Sequence, residues 1–342
     1  MIALDAMGGD FGPEVIVPGA AISLTRHPNL RFKLFGDQPQ IEAVLRQHAA
    51  LFERSEIVHT DAAIAMDAKP SQAIRQGRSS SMWLAIQSVA DGDSDVVISA
   101  GNTGALMAMS KLVLRPISDI ERPAIAALWP TVRNECIVLD VGANIGANAS
   151  QLCDFALMGA AMARALFHVD KPSVGLLNVG SEEIKGMEEV KQAHSILRDM
   201  EQLPIDYQGF VEGHEIGQGR VDVVVVEGFA GNIALKTAEG TARQISQYLR
   251  DAMTRSLMSR IGAFLAQGGF RTLKSKMDPR RVNGGTFLGL NGLAVKSHGG
   301  TDALGFASAI DIGQDMVESG LVARMRTDLH DFHERIASKL AS

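Results

Sequence analysis

The chain has 342 residues, of which 46% are hydrophobic and 21% charged, as is typical of a globular enzyme with a well-buried core. Its net charge of −6 argues against nonspecific nucleic-acid binding, because no excess of lysine and arginine is present to neutralise phosphates. Two cysteines make a disulfide framework implausible and fit a reducing compartment. No run approaches the ~20 apolar residues that span a bilayer. We therefore expect a cytoplasmic protein without an integral membrane segment.

Five short apolar runs, each followed by glycine or asparagine, recur along the chain and alternate with helical patterns. Strands that are continuously apolar are buried on both faces, which is typical of a parallel sheet between two layers of helices. The pattern predicts a three-layer αβα fold with a mostly parallel sheet, and residues 1–342 are expected to form a single α/β unit. The predicted strands lie at 2–4, 96–98, 137–139, 174–177 and 223–226.

Glycine and asparagine residues cluster in the turns that follow these predicted strands. In open α/β sheets, ligands bind beyond the carboxyl ends of the strands, where helix N-termini favour anions. Any one glycine can serve only a tight turn, but several such turns together favour a shared polar site. Lys185 and His298 stand in glycine-flanked segments, although a lone lysine or histidine is more often solvated or structural. The turn residues are Gly101, Asn102, Thr103, Gly104, Gly142, Asn144, Asn178, Gly231 and Asn232.

One basic segment interrupts this rhythm. Residues 250–281 contain eight basic and two acidic residues, a net charge of +6, which leaves −12 on the rest of the chain. An apolar helical stripe lies within it, and Gly268 and Gly269 are predicted to break that helix. The segment 245–281 is interpreted as a helical hairpin that contacts either a partner subunit or an anionic membrane surface. The predicted membrane-contact residues are Leu257, Ile261, Phe264, Leu265, Phe270 and Leu273.

Several common catalytic motifs are missing from the sequence. It has no Walker A pattern, no Gly-x-Gly-x-x-Gly fingerprint, no His-Glu-x-x-His and no Gly-x-Ser-x-Gly. Cys136 and Cys153 lack metal-ligand spacing and are expected to be buried small hydrophobes. Neither a metal, a cofactor nor a covalent intermediate is therefore expected.

The remaining motifs together resemble one family. The most specific is Ser-Ala-Gly-Asn-Thr-Gly-Ala-Leu at 99–106, and the likeness covers roughly residues 2–310 in the family's order. The sequence resembles the bacterial phosphate acyltransferases of phospholipid synthesis, which use acyl carrier protein and phosphate. The other matching motifs lie at 5–10, 69–75, 79–82, 140–144, 178–186, 227–237, 289–292 and 296–299.

This resemblance implies a fold similar to the isocitrate and isopropylmalate dehydrogenases and to the phosphotransacetylases, usually as a homodimer. It also implies transfer of a long-chain acyl group from acyl carrier protein to inorganic phosphate. Phosphate is already a competent nucleophile and a thiolate leaves readily, so the enzyme must position the reactants and stabilise the oxyanion.

The resemblance also suggests roles for the turn residues. The turns 101–104 and 231–232 are candidates for a phosphate cradle and an oxyanion hole, and Gly142, Asn144 and Asn178 are further phosphate-binding candidates. The predicted catalytic residues are Lys185, as a charge partner for phosphate, His298, as a donor to the leaving thiolate, and Asn232.

Two other functions compete with this one. A coenzyme A-dependent phosphotransacetylase is disfavoured by the basic hairpin, which suits an acidic carrier protein and an anionic membrane. A non-catalytic, membrane-docked scaffold for lipid synthesis would bind the carrier protein without consuming its thioester. The expected partners are acyl carrier protein, phosphate, a second subunit, the anionic inner membrane surface and a membrane acyltransferase that consumes the product. The expected localisation is cytoplasmic with peripheral membrane association.

Overall fold

One large sheet runs through the molecule. The computed structural model describes residues 1–341 apart from 119, 201 and 271–282. The described strands lie in the order β3-β2-β1-β4-β11-β10-β5-β6-β9-β7-β8. Their bounds are β1 Ile2–Asp5, β2 Phe32–Gly36, β3 Ser55–His59, β4 Val96–Ser99, β5 Ala124–Pro130, β6 Glu135–Leu139, β7 Ser173–Asn178, β8 Asp206–Glu212, β9 Val223–Val225, β10 Gly285–Leu288 and β11 Leu293–Lys296.

Most strand pairings are parallel, but the centre of the sheet is not. Strand β5 is antiparallel to both β10 and β6, and β10 is also antiparallel to β11. All other pairings between described strands are parallel. Two parallel blocks of opposite direction therefore meet at an antiparallel centre. The mostly parallel sheet and all five predicted strands are confirmed.

Helices cover both faces of the sheet. The described helices are α1 Pro13–Arg26, α2 Gln38–Leu45, α3 Ala49–Phe52, α4 Pro70–Gln76, α5 Ser81–Ala90, α6 Thr103–Val113, α7 Ala149–Phe167, α8 Glu188–Asp199, α9 Gly213–Ile216, α10 Gly228–Thr254, α11 Leu257–Leu265, α12 Ala303–Glu318 and α13 Leu321–Ala341. None of them combines the length and apolarity that crossing a membrane requires.

Alternate residues of each strand feed two separate cores. Leu4 and Ile98 pack with α1, α7, α12 and α13, whereas Ala3 and Val97 pack with α4, α5 and α6 on the other face. This division gives the three-layer αβα architecture that the apolar runs predict. The second face also carries α10, which crosses the antiparallel centre and positions the site described below.

Helix α10 and the short helix α11 that follows it are largely exposed. Only Gly228 and Gly231 of its 27 residues are buried, and α11 has no buried residue. The predicted stripe forms a helix as expected, and Leu257, Phe264 and Leu265 are 68–79% exposed. The predicted break at Gly268 and Gly269 is wrong, because α11 ends earlier, at Leu265, and residues 267–270 are again helical. Leu273 lies outside the described residues.

Candidate active site

A cleft of about 280 Å³ opens on the second face of the sheet, under α10. Strands β5, β10 and β11 supply its floor, and the N-terminus of α6 and the turn after β6 supply its ends. Its lining includes Thr103, Ile125, Ala127, Leu128, Trp129, Pro130, Val141, Gly142, Asn232, Leu235, Lys236, Ala238, Glu239, Ala242, Gly284, Gly285, Lys296, Ser297 and His298. A larger cavity of about 740 Å³ shares Glu239, Ala242 and His298 with it and continues along α10.

Lys296 is the most buried cation of the cleft. Its Nζ donates to the carbonyl oxygens of Ala100, at 3.2 Å, and Ser297. Burial lowers the pKa of Lys296 to about 8, although the negative charges of Asp5 and Asp10 oppose the shift. An ammonium held in this way suits an anionic ligand, because it has left water and no carboxylate of the described residues is bonded to it directly.

Asp5 organises the turn beside that ammonium. Its carboxylate is buried at the end of β1 and accepts from the Ser81 hydroxyl at 2.6 Å and the Ser99 hydroxyl at 2.7 Å. The Ser99 Oγ in turn accepts from the Gly101 N–H at 3.0 Å. Burial raises the pKa of Asp5 even though these hydroxyls and Lys296 favour its charged form. The network fixes the turn that leads into α6.

Glu239 of α10 lies close to three other basic side chains. Its carboxylate lies 3.0 Å from Lys236, 3.3 Å from Arg243 and 3.8 Å from His298 Nε2. Partial desolvation lowers the pKa of His298, and the neighbouring cations act in the same direction while Glu239 opposes them. A neutral imidazole at neutral pH follows, with one N–H able to donate.

The His298 loop is held from behind by a buried amide. The Asn283 Oδ1 accepts the backbone N–H of His298 at 3.0 Å. The Asn283 Nδ2 donates to the hydroxyls of Ser297 and Thr301, at 2.9 and 3.1 Å. These bonds fix the backbone of the loop and leave the imidazole free to face the cleft.

Asp140 organises the opposite end of the cleft. Its buried carboxylate accepts from the backbone N–H groups of Ile125, Gly142, Ala143 and Asn144 at 2.8–3.0 Å, and from the Asn144 side chain. Burial raises the pKa of Asp140 against the effect of these donors. The carboxylate thereby shapes the turn that presents Gly142 to the cleft.

Helix α10 is locked onto this turn at its N-terminus. A Cβ at Gly231 would overlap the carbonyl oxygen of Asp140, so glycine permits the close approach. The Asn232 Nδ2 donates to the Val141 carbonyl at 3.1 Å. The Glu227 carboxylate caps the first free N–H groups of the helix, and the Gly231 N–H bonds within it. Gly231 thus contributes packing, while Asn232 reaches the cleft.

The structure brings four predicted residues together and places others behind them. Thr103, Gly142, Asn232 and His298 all line the cleft. Behind them, Asn102 caps α6 and donates to the carbonyls of Met66 and Ala68. The remaining supporting residues are Gly101, bonded to Ser99, Gly104, packed against Pro70, and Asn144, held by Asp140 and the Pro123 carbonyl.

Asn178 and Lys185 lie apart from the cleft lining. Asn178 ends β7 and Lys185 lies in the loop that follows, where the Asn178 side chain donates to the Lys185 carbonyl at 3.1 Å. The Lys185 ammonium pairs with Glu182 at 2.7 Å, and this hydrogen bond raises the pKa of Lys185. The catalytic role expected for Lys185 stays a prediction.

Sequence reasoning missed Lys236, Glu239, Lys296, Asp5 and Asp140 as site residues. A usable signal exists for the two aspartates, since each ends or follows an apolar strand and precedes a glycine-containing turn. Lys236 and Glu239 had no such signal, because one helical turn of α10 looks like any solvated helix face.

The two thiols are buried and do not line the cleft. Burial raises the pKa of Cys136 to about 12 and also raises the pKa of Cys153. Because the thiolate is the nucleophilic form, neither residue is prepared for nucleophilic catalysis.

Known proteins match this sequence over almost its whole length. A family model described as a fatty acid synthesis protein matches residues 1–324. A phosphate acyltransferase from Rhizobium meliloti is 61% identical over 333 residues, which are 97% of this chain and 96% of that protein. One from Brucella canis is 59% identical over 342 residues, 99% of each chain.

Solved structures with low sequence identity share the fold. EutD phosphotransacetylase from Staphylococcus aureus superposes with a TM-score of 0.58 at 15% identity, over 92% of this chain and 93% of that one. A 4-hydroxythreonine-4-phosphate dehydrogenase from Klebsiella pneumoniae gives 0.53 at 13% identity, over 93% and 99%. At these identities the likeness concerns architecture alone, and it agrees with the expected three-layer fold.

Proposed function

This chain belongs to the phosphate acyltransferase family, and on that premise we propose that it transfers a long-chain fatty acyl group from acyl carrier protein to inorganic phosphate, for phospholipid synthesis. The observation that carries the proposal is the cleft itself. Lys236, Lys296 and His298 contribute basic groups to its lining, and β5 and α10 contribute apolar residues. An anion and an acyl chain are the two reactant parts that such a cleft accommodates together.

Phosphate binds between the cations. The ammonium of Lys296 supplies the fixed charge, Lys236 reaches in from α10, and Thr103 stands at the N-terminus of α6, where the helix dipole favours an anion. An oxygen of hydrogen phosphate attacks the thioester carbon, and the carbon–sulfur bond then breaks to give acyl phosphate and the carrier-protein thiolate, which takes up the proton that the phosphate loses. Binding of both reactants in one cleft makes this attack effectively intramolecular.

Two side chains stabilise the negative charges that develop during the reaction. The Asn232 amide stabilises the carbonyl oxygen as it becomes negative, because Nδ2 has a second N–H beyond the one bonded to Val141. The His298 N–H donates to the departing thiolate. The turn at 101–104 shapes the phosphate end and the turn at Gly142 shapes the opposite end beside Asn232, whereas roles for Asn178 and Lys185 require the end of β7 and the loop after it to approach the cleft.

Acyl-phosphate formation tests this proposal directly. We expect the purified protein to convert palmitoyl-acyl carrier protein to a hydroxylamine-trappable acyl phosphate, at a rate that depends on phosphate. Palmitoyl-coenzyme A and acetyl-coenzyme A serve as alternative donors in parallel. A preference for acetyl-coenzyme A would indicate a phosphotransacetylase instead. Carrier-protein binding without thioester consumption would indicate a scaffold.

The hairpin 245–281 is the proposed membrane-contact surface. Within its described part, Leu257, Ile261, Phe264 and Leu265 are 48–79% exposed, and Phe270 is half-buried. An apolar stripe of this size is rarely left exposed to water. The net charge of +6 on residues 250–281 suits an anionic lipid surface. The competing occupant is a second subunit, which the proposed homodimer would provide.

Ile261→Ser/Phe264→Ser should weaken binding to anionic vesicles about 100-fold, because it removes roughly 3 kcal/mol of apolar burial. Co-sedimentation with phosphatidylglycerol vesicles measures the change, and Val132→Ser/Ile145→Ser is the matched control, since these exposed apolar residues lie outside the hairpin. Unchanged vesicle binding would contradict docking. A variant that turns monomeric in gel filtration would assign the stripe to the subunit interface.

A further inference from the structure

The part of the cleft lined by β5 and by Leu235, Ala238 and Ala242 of α10 is apolar, and we infer that it is the acyl-chain subsite, with Trp129 and the small residues of α10 setting the chain length that is accepted. The inference rests on the proposed function. It adds where the hydrocarbon lies and which residues select it. The apolar lining comes from Ile125, Ala127, Leu128, Trp129, Pro130, Val141, Leu235, Ala238 and Ala242.

A glycine connects the polar and apolar sides across the floor. Gly285 of β10 pairs with Lys296 of β11 on one side and with Ala127 of β5 on the other. Two strand spacings therefore separate Lys296 from Ala127, about 10 Å at the backbone. Residue 285 itself contributes no side chain between them, and the Ile125 side chain packs within 2.9 Å of where its Cβ would lie. A thioester above Gly285 can therefore have phosphate on one side and its alkyl chain on the other.

The floor of the subsite is a continuous strip of strand β5. From Ile125 to Pro130 the strand covers five residue steps, about 17 Å at the usual rise. Ile125, Ala127 and Trp129 face α10, because alternate strand residues point to the same side. Trp129 is half-buried and Pro130 exposed, so the strip runs from the interior to the surface. An extended hydrocarbon chain fits this shape better than a compact acyl group does.

The roof of the subsite is one face of α10. Leu235, Ala238 and Ala242 recur at i, i+3 and i+7, which places them on one side of the helix. All three are half-buried although most of the helix is exposed. Two of them are alanines, and their small side chains leave the space that the cleft occupies. A larger residue at either position would fill part of that space.

Chain-length selectivity gives the first test. Each methylene that is buried should strengthen binding about fourfold, so wild type should prefer palmitoyl- to octanoyl-acyl carrier protein. Ala238→Leu should lower kcat/KM for palmitoyl about 10-fold or more and leave octanoyl within about twofold. Ala234→Leu, the same change on the preceding turn and outside the cleft lining, should alter neither. An equal loss for all chain lengths would overturn the inference and assign the strip to the carrier's pantetheine arm.

Trp129 provides a second test that does not depend on turnover. The chain has only two tryptophans, so Trp83→Phe leaves Trp129 as the sole indole reporter. Titration with hexadecylphosphonate should shift its emission to shorter wavelength at lower ligand concentration than octylphosphonate does, and Ala238→Leu should remove that difference. No spectral response to either ligand would overturn the inference. Absence of acyl-phosphate formation by wild type with any donor would instead sink the proposed function.

Discussion

Replacing Lys296 with methionine should lower kcat/KM for phosphate by about 10²-fold or more, the cost of losing one preorganised charge at a reacting centre. Methionine keeps the length and apolar stem of lysine and removes only the charged group. In the wild type, the Lys296 ammonium lies 3.2 Å from the Ala100 carbonyl oxygen and is the cation of the cleft best shielded from water. Initial rates at varied phosphate and saturating acyl carrier protein give the measurement.

The Lys296→Met variant should lose activity without losing stability. The pKa of Lys296 is about 8 in the folded protein against 10.5 in a free side chain, so burial opposes its charged form. Between these two values the unfolded chain binds more protons, and wild-type stability therefore rises with pH through this window. Lys296→Met should abolish that rise and unfold at equal or higher urea concentration at pH 7. A variant that loses both stability and activity would mean that the lysine is chiefly structural.

The same titration gives the wild-type enzyme a pH signature. As the pH rises through about 8, Lys296 loses its charge and the KM for phosphate should increase. Lys33→Met is the matched control, because Lys33 is also a poorly exposed strand lysine, paired with Asp93 and outside the cleft. This control should keep both the wild-type KM and its dependence on pH.

Much of the sheet could be predicted because its parallel strands carry a local signal. The runs at 2–4, 96–98, 137–139, 174–177 and 223–226 are apolar and end at glycine-containing turns, so both the strands and the edge where ligands bind follow from the sequence. Thr103, Gly142 and Asn232 follow from the same rule, since they lie beyond the ends of predicted strands, whereas His298 follows from its glycine-flanked segment.

The antiparallel centre could not be predicted in this way. Strand β5 contains three alanines, which favour helix by propensity, and only its pairing with β10 and β6 makes it a strand. Strand β10 follows β9 by about sixty residues along the chain, yet lies next to β5. The cleft floor is therefore a product of long-range topology, and Lys296, on a short strand beside it, gains its burial only there.

The part that the charged side chains of α10 play in the site could not be predicted either. Lys236, Glu239 and Arg243 are spaced at i, i+3 and i+7, the pattern of a solvated helix surface stabilised by local ion pairs. Their relation to His298 appears only when α10 crosses the sheet. Asp5 and Asp140 carried a signal in their positions at strand ends, but a carboxylate there is as often a turn former as a part of a site.

Asp140→Ala should cause the largest loss of stability of any single change near the cleft. It would leave the backbone N–H groups of Ile125, Gly142, Ala143 and Asn144 without their acceptor, at about 1 kcal/mol or more each. A total of roughly 4 kcal/mol is a large share of the 5–15 kcal/mol that holds a typical domain folded. The midpoint of urea unfolding should fall accordingly, and expression as insoluble protein would agree with this expectation.

Asp140→Asn separates this structural role from the effect on catalysis. The amide keeps one oxygen as an acceptor and sets an NH2 group against donors, so we expect a smaller loss of stability and a folded protein in which the turn at Gly142 and its contact to Asn232 are displaced. Its kcat should fall while binding of acyl carrier protein is retained. Asp222→Ala is the control, because Asp222 accepts from the Ser173 N–H and hydroxyl at the amino ends of β7 and β9, away from the cleft. Its loss should lower stability slightly and leave kcat unchanged. If Asp140→Ala unfolds at the wild-type urea concentration, the buried carboxylate does not organise the turn, and the position of Asn232 needs another explanation.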